Sequence, residues 1–230
     1  RRQRQMCIRD RLTIGLSNVD AFVGYDQGTE DISDDLGLQL TGVDLALAMF
    51  SEVGGSLRKW TAVKAYVEDA SFLGMPDDLT IGINTLSIEI NKPAADGTVI
   101  DFWVGTGETQ ATDLTVVIGP SETVTFDMDD TKGDYLQVTG SAEFDLFGLV
   151  TVEGDFGIEK SSQQVVLSNK SVVNTNMLAI GMSNVDAFFG YGQGTDEALG
   201  LQLAGVSLAM AMFSEVVASG TGRKWTCLLY

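Results

Sequence analysis

The stretch LQVTGSAEFDLFGLVTVEGDFGI, residues Leu136–Ile158, decides how this chain folds. Apolar residues occupy every second position on both sides of a central FGL, and mainly polar residues lie between them. This period of two is typical of strands that turn one face to a core and the other to water. A three-residue loop at residues 147–149 keeps both apolar faces on one side, with Gly148 in a left-handed position, and it predicts that Leu146 pairs with Val150.

The same alternation recurs along most of the chain. In residues 79–90 its parity changes at Asn84-Thr85, which predicts a β-bulge. Residues 123–128 alternate too, and the three prolines stand between such runs, where they interrupt no strand ladder. The pattern therefore predicts an all-β fold, a mostly antiparallel meander of hairpins that forms a curled sheet or a sandwich. A parallel β-helix or solenoid is the alternative, which the hairpin register disfavours.

The segment VDLALAMFSEV, residues 43–53, fits two structures. Ala, Leu and Met favour a helix, but the strand alternation that precedes the segment continues into it, and we favour a strand. One of its faces carries the small residues Ala46 and Ala48 at its centre. A second layer could approach such a face closely, so this strand is expected to be buried on both faces.

The sequence repeats itself with a period near 165 residues. Three blocks recur in the same order, which indicates a tandem array whose units stack on one another. We divide the chain into one period, residues 12–178, and the start of the next, residues 179–226. The blocks are SNVDAF at 17–22 and 183–188, GLQL at 37–40 and 200–203, and RKWT at 58–61 and 223–226.

The two ends do not follow the repeat. Residues 1–11 hold five of the fourteen basic residues and end in MCIRDR, and residues 226–230 read TCLLY. Both resemble translated sequencing-adapter read-through, so residues 1–11 and 227–230 are interpreted as non-native. A basic targeting arm and a native C-terminus are the alternative. Such segments are left out of reasoning about the fold.

Composition excludes several classes of function. Residues 12–226 contain no His, no Cys, nine basic and 31 acidic residues, which gives a net charge of −22 against −18 for the whole chain. Ser-His and Cys-His catalysis, disulfides and Cys-based zinc sites are therefore excluded for this stretch. The scarcity of Lys and Arg argues against nucleic acid as a partner. No apolar run approaches the roughly 20 residues that a membrane-spanning helix needs.

Five blocks resemble a repeat of very large bacterial, often marine, proteins, whose arrays are similar to those of surface or secreted repeat proteins and adhesins. The resemblance covers nearly all of residues 12–226. It implies a module of a giant array and supplies no catalytic residues. The blocks are SNVDAF, GLQLTGVDLALAMFSE, RKWTAVKA, SIEINKPAADGTVIDF and GSAEFDLFGLVTVEGDFGIEK.

Two acidic segments are candidate Ca²⁺ sites, since Ca²⁺ takes six to eight oxygen ligands. The loop DQGTEDISDD, residues 26–35, shortens to GQGTDE in the second copy, and we favour a solvated acidic loop there. The segment DMDDTKGD, residues 127–134, begins like an EF-hand loop but lacks its glycine and its final glutamate, and we favour a polar turn. The candidate ligands of a weak Ca²⁺ site, the one cofactor considered, are Asp127, Asp129, Asp130, Asp134, Asp26, Glu30 and Asp31.

Two further clusters have both a chemical and a structural interpretation. The hairpin register places Glu143 opposite Glu153, and paired carboxylates can hydrolyse glycosides. A solvated, mildly repulsive face is the favoured interpretation. The repeated Arg-Lys-Trp of residues 58–60 could stack on a sugar. We favour instead a strand start, in which Trp60 enters the core and the bases pair with carboxylates of the next unit.

These observations predict a structural scaffold rather than an enzyme. The module would belong to an extended stalk or adhesin at the cell surface or outside the cell, where acidity favours a soluble surface. Its expected partners are the neighbouring repeats of the same chain. A Ca²⁺- or glycan-binding module with surface glycans as partner is the alternative, and no membrane span is expected.

Overall fold

Eleven β-strands make up nearly all of the regular structure in the described part of the chain. The computed structural model describes residues 8–25, 28, 35–54, 58–76, 78–103, 112–217 and 220–229. A 3₁₀ turn, Asp130–Lys132, precedes the seventh strand. The strands are β1 Ile8–Tyr25, β2 Leu36–Glu52, β3 Lys59–Leu73, β4 Leu79–Lys92, β5 Leu114–Val117, β6 Thr123–Phe126, β7 Tyr135–Leu146, β8 Val150–Val166, β9 Val172–Tyr191, β10 Leu199–Glu215 and β11 Lys224–Leu229.

Nine of these strands form one open sheet in the order β1-β2-β3-β4-β7-β8-β9-β10-β11. Each described strand pairs with its neighbours in an antiparallel manner. The order departs from that of the chain only at β5 and β6, which form a separate two-stranded sheet. The predicted all-β antiparallel meander and its curled sheet are therefore confirmed, and the β-helix alternative is wrong for this fold.

The hairpin of β7 and β8 has the register that its sequence predicts. Leu146 pairs with Val150, and Glu143 pairs with Glu153. Gly148 has a φ of 61°, in the left-handed region that a three-residue loop requires. The predicted bulge is also present, as a register shift between β4 and β7 on either side of residue 84.

The ambiguous segment at residues 43–53 belongs to a strand, β2, as far as Glu52. Ala46 and Ala48 are completely buried, whereas Leu45, Leu47 and Met49 on the opposite face are half-buried. The small residues thus lie under a second layer, as predicted. Burial on both faces is only partly correct, because the opposite face has no comparable layer within the described ranges.

That second layer is the segment between β4 and β7, which we call the cap and define as residues 93–128. Its described parts are 93–103 and 112–128, including β5 and β6. Cap side chains and the face of β2 and β3 form one buried cluster. Its members are Ala46, Ala48, Phe50, Trp60, Ala62, Ala94, Ile100, Phe102, Leu114, Val116, Ile118, Phe126, Met128 and Tyr135.

The sequence repeat is also a repeat of structure. Strands β9, β10 and β11 pair in the same order as β1, β2 and β3. Asn18 and Asn184 both have a φ of 52°, and Gly42 and Gly205 both have a φ of 62°. The bulges at these four residues are thus reproduced in both copies. Strand β8 pairs with β9, so one sheet passes from the first period into the second.

Candidate functional site

The clearest functional arrangement is the contact between the cap and the sheet. Gly15 of β1 lies opposite Ala46 of β2, and a Cβ added to Gly15 would collide with the Val117 carbonyl oxygen and lie 3.0 Å from its carbon. Ala46 is 0 % exposed. The absence of large side chains at these positions lets the backbone of β5 approach the sheet directly. The Ser17 hydroxyl also donates a hydrogen bond to the Glu122 carboxylate of the cap.

Aromatic side chains fill the space between the two layers. The rings of Phe50 and Phe102 lie 6.0 Å apart, and those of Phe102 and Phe126 lie 5.4 Å apart, both in tilted arrangements. Tilted rings at such distances add a favourable interaction to the burial of their apolar surface. Phe102 is therefore the centre of the cap interface.

Two polar side chains of the sheet bond to the backbone of the cap. The Trp60 indole Nε1 donates to the Thr98 carbonyl at 2.9 Å. The fully buried Asn91 donates from Nδ2 to the Ile100 carbonyl at 2.7 Å. Buried polar groups need such partners, and these two bonds fix the position of the cap's first half. Oδ1 of Asn91 has no partner among the described residues.

Charges also complement each other across this contact. Residues 93–128 carry six acidic and no basic residues. Arg58 bridges Glu52 at 2.7 Å and the cap's Asp96 at 3.3 Å, and its guanidinium lies 5.2 Å from the Trp60 ring centroid. Hydrogen bonds from Thr98 are the main cause of a lowered Asp96 pKa, to which Arg58 contributes. An acidic segment thus docks where the sheet offers a base.

Lys64 forms the second charged contact. Its ammonium lies 3.0 Å from Glu89 on β4 and 2.5 Å from Asp127 of the cap. Burial lowers the Lys64 pKa and the hydrogen bonds to Asp127 and Glu89 raise it, with a net upward shift. Lys64 therefore stays charged and holds two carboxylates of different layers.

The Arg-Lys-Trp cluster has the structural role that we favour, with one correction. Trp60 is 2 % exposed, enters the core and cannot stack on a glycan. The acidic partners of Arg58 within the described residues, Glu52 and Asp96, however, belong to the same period rather than to the next unit. The expected pairing between units is therefore wrong for this residue. The reason is the cap, which brings Asp96 back over β3.

The second copy repeats the cluster without the cap. Arg223 bridges Glu215 at 2.7 Å, and its guanidinium lies 5.3 Å from the Trp225 ring centroid. Hydrogen bonds from the Arg223 side chain and backbone lower the Glu215 pKa to about 2. The pairing within β10 and β11 therefore forms independently of the contact with a cap.

The carboxylates predicted at residues 127–134 are not gathered around one point. Asp127 pairs with Lys64, whereas Asp134 pairs with Lys160 at 2.5 Å. Asp129 caps the 3₁₀ turn, accepting a hydrogen bond from the Thr131 amide at 2.8 Å. Asp130 lies in the turn itself. In the part of the chain that the structure describes, no three acidic, His or Cys residues are placed to hold a metal ion.

The other predicted Ca²⁺ ligands, Asp26, Glu30 and Asp31, lie outside the described residues. The weak Ca²⁺ site therefore stays a prediction at both segments.

The carboxylate pair of the hairpin has a third member. Glu153 lies between Glu143 on β7 and Asp186 on β9. A groove of about 410 Å³ passes over these three residues. Asp186 also accepts a hydrogen bond from the Gly205 amide at 2.7 Å. The sequence pattern of one hairpin could not include Asp186, because this residue comes from the second period, in the repeated SNVDAF block.

The cap contact was also missed from the sequence, although two signals point to it. Gly15 interrupts an apolar strand where a side chain would be expected, and residues 93–128 lack any basic residue. Neither signal identifies the strands that the cap covers. Within the described ranges, no helix is long and apolar enough to cross a membrane. Comparison with protein-family models, with curated proteins and with solved structures found no match for this chain.

Proposed function

We propose that the chain is a structural repeat module of a very large bacterial protein, exported or displayed at the cell surface. Its role is that of an extended stalk or adhesin scaffold, and the proposal assigns it no catalytic step. Neighbouring repeats of the same chain are its partners. The charge of −18 keeps such a surface soluble.

The pairing of β8 with β9 is the observation that carries this proposal. It runs from Val150 opposite Phe189 to Val166 opposite Val172, with one register shift. The boundary between residues 178 and 179 falls inside β9, so the periods are not separate domains on a linker. Each period contributes its strands to one growing sheet, as in repeat proteins whose units contact only their neighbours.

This connection favours an elongated array. One period supplies six strands to the sheet, β1 to β4 with β7 and β8. Neighbouring strands lie about 4.8 Å apart, so six of them extend an array by up to about 29 Å. Twist between strands would turn such an array into a coiled ribbon rather than a flat one.

Small-angle X-ray scattering tests the proposal on chains of one, two and three periods. We expect the maximum dimension to grow by a constant step of up to about 29 Å for each added period. The control is a chain with a flexible Gly/Ser linker between β8 and β9, which should scatter as separate bodies. A compact particle with no constant step would overturn the stalk.

The surface location needs a separate test. The uninterrupted parent gene would give the number of repeats and show whether an export signal accompanies them. A parent protein without any export signal or surface anchor would contradict an extracellular role, even if the array is elongated.

A further inference from the structure

The second copy presents the same docking face as the first, without a cap. Gly181 and Ala209 are the equivalents of Gly15 and Ala46, and the same pairing brings them together. Ala46 is completely buried, whereas Ala209 is exposed. A groove of about 860 Å³ opens over Gly181 and Ala209. The face that binds β5 in the first period is therefore open in the second.

No close contact with a described residue requires glycine at position 181. A Cβ added there would meet only the Leu208 carbonyl oxygen, at 4.0 Å. Glycine weakens the interior of a strand, since it has no side chain to pack. At position 15 the close approach of the Val117 backbone explains why the residue is glycine. The second copy thus retains a residue that only an approaching backbone would require.

The charged and aromatic groups of the second face are less buried than their counterparts in the first copy. The Arg223 side chain is 54 % exposed, against 24 % for Arg58. Arg58 has the additional acidic partner Asp96, which the cap supplies. Trp225 is half-buried, whereas Trp60 is buried and bonded to the cap backbone. Charge and apolar surface therefore favour an acidic, apolar segment on the second face.

We propose that the face of β9, β10 and β11 is the docking site of a second cap, an acidic apolar β-hairpin with the chemistry of residues 93–128. Its backbone lies over Gly181, its aromatic side chains fill the space above Ala209, and one of its carboxylates pairs with Arg223. The inference rests on the proposed array, in which the following period supplies this hairpin. Each module then consists of a sheet section closed by its own cap.

The test extends the chain so that residues 62–178 follow Thr226, and measures the rate at which a thiol reagent labels residue 209. Cys7 is replaced by Ser in both chains, and Cys227 is replaced by Ala in the 230-residue chain, since the extended chain has Ala62 of the repeat at that position. Ala209→Cys is compared between the 230-residue and the extended chain, with Ala46→Cys as the buried reference. We expect labelling of residue 209 to slow at least about tenfold in the extended chain, because a covered thiol reacts only on local opening.

A second substitution tests the geometry of docking. Gly181→Val should restore fast labelling in the extended chain and leave the rate unchanged in the 230-residue chain, since its Cβ blocks only an approaching backbone. Equal rates for Ala209→Cys in the two chains would overturn the inference. Slower labelling of residue 209 at higher concentrations of the 230-residue chain would overturn it too. The docking face would then be covered by a second copy of the chain.

The result is separable from the test of the proposed function. If the maximum dimension of the extended chain increases but residue 209 is still labelled rapidly, the array is supported and the second cap is rejected. Protection of residue 209 in a compact particle would reject the stalk and keep the docking site.

Discussion

Gly15 lies directly beneath the backbone carbonyl of Val117, so closely that a Cβ atom at residue 15 would displace the cap or the strand. These residues are 102 positions apart in the chain. Their contact is the point at which the inserted β5 strand meets the edge strand β1 of the main sheet. The second layer, the cap, can pack against β1 only because residue 15 is a glycine.

Gly15→Ala should lower the free energy of unfolding by about 1–3 kcal/mol, the usual cost of forcing an extra carbon into a packed site. Gly181→Ala is the matched control at the equivalent position and should be neutral or slightly stabilising, because Ala favours a strand interior over Gly. Urea denaturation of both variants measures the difference. Equal effects at the two positions would contradict the contact.

Phe102→Ala should destabilise the fold by about 3–5 kcal/mol, because it leaves a cavity between Phe50 and Phe126. The neighbouring Trp103 is 46 % exposed, so Trp103→Ala should cost far less. Thermal and urea unfolding compare the two variants. If Trp103→Ala were the more harmful change, the packing of the cap described above would be wrong.

Glu153→Lys should stabilise the fold by about 0.4–2 kcal/mol, since it turns two like-charge pairs, with Glu143 and Asp186, into opposite-charge pairs. The gain should shrink at about 1 M salt, where the screening length is about 3 Å. Val166→Lys, at an exposed position of the same strand opposite Val172, controls for the general effect of reducing the negative charge. A loss of stability in Glu153→Lys would indicate a cation or a partner bound to the three carboxylates.

The Glu215 carboxylate should titrate near pH 2, against an ordinary value of 4.5, because hydrogen bonds from Arg223 lower its pKa. A lowered pKa means that the pair contributes stability above pH 4.5 and loses it as the pH falls through about 2. NMR of the Glu215 side-chain carbon against pH measures the midpoint. Arg223→Gln should return it towards 4.5, and an unchanged midpoint would show that Arg223 is not the cause.

Much of the sheet was predictable because the pattern of apolar residues within a strand and its neighbouring turn specifies the pairing. The alternation on both sides of Gly148 sets the register of β7 and β8, and the parity change at Asn84 marks the bulge. A one-residue error would move a whole strand to the wrong face, so such patterns constrain pairing strongly. The segment at residues 43–53 shows the limit, since its alternation identifies a strand but not the layer that covers it.

The candidate site was much less predictable. Trp60 was correctly assigned to the core, but the acidic partners of Arg58 were expected in the next unit, whereas Glu52 and Asp96 belong to the same period. The third carboxylate, Asp186, was missed because it joins Glu153 only through the pairing of β8 with β9. Such contacts depend on the order of strands in space, about which the spacing of residues along one strand carries no information.

By itself, the sequence determined the class of fold, the period of the repeat and the faces of its strands, because apolar alternation acts between near neighbours. Only the tertiary structure decided that the described parts of the cap cross over β1, β2 and β3, and that the sheet continues from β8 into β9. The first feature joins residues far apart in the chain, where burial of Ala46 and the approach of Val117 to Gly15 select one arrangement. The second joins consecutive strands, but the sequence pattern of β8 alone does not show which strand becomes its second neighbour.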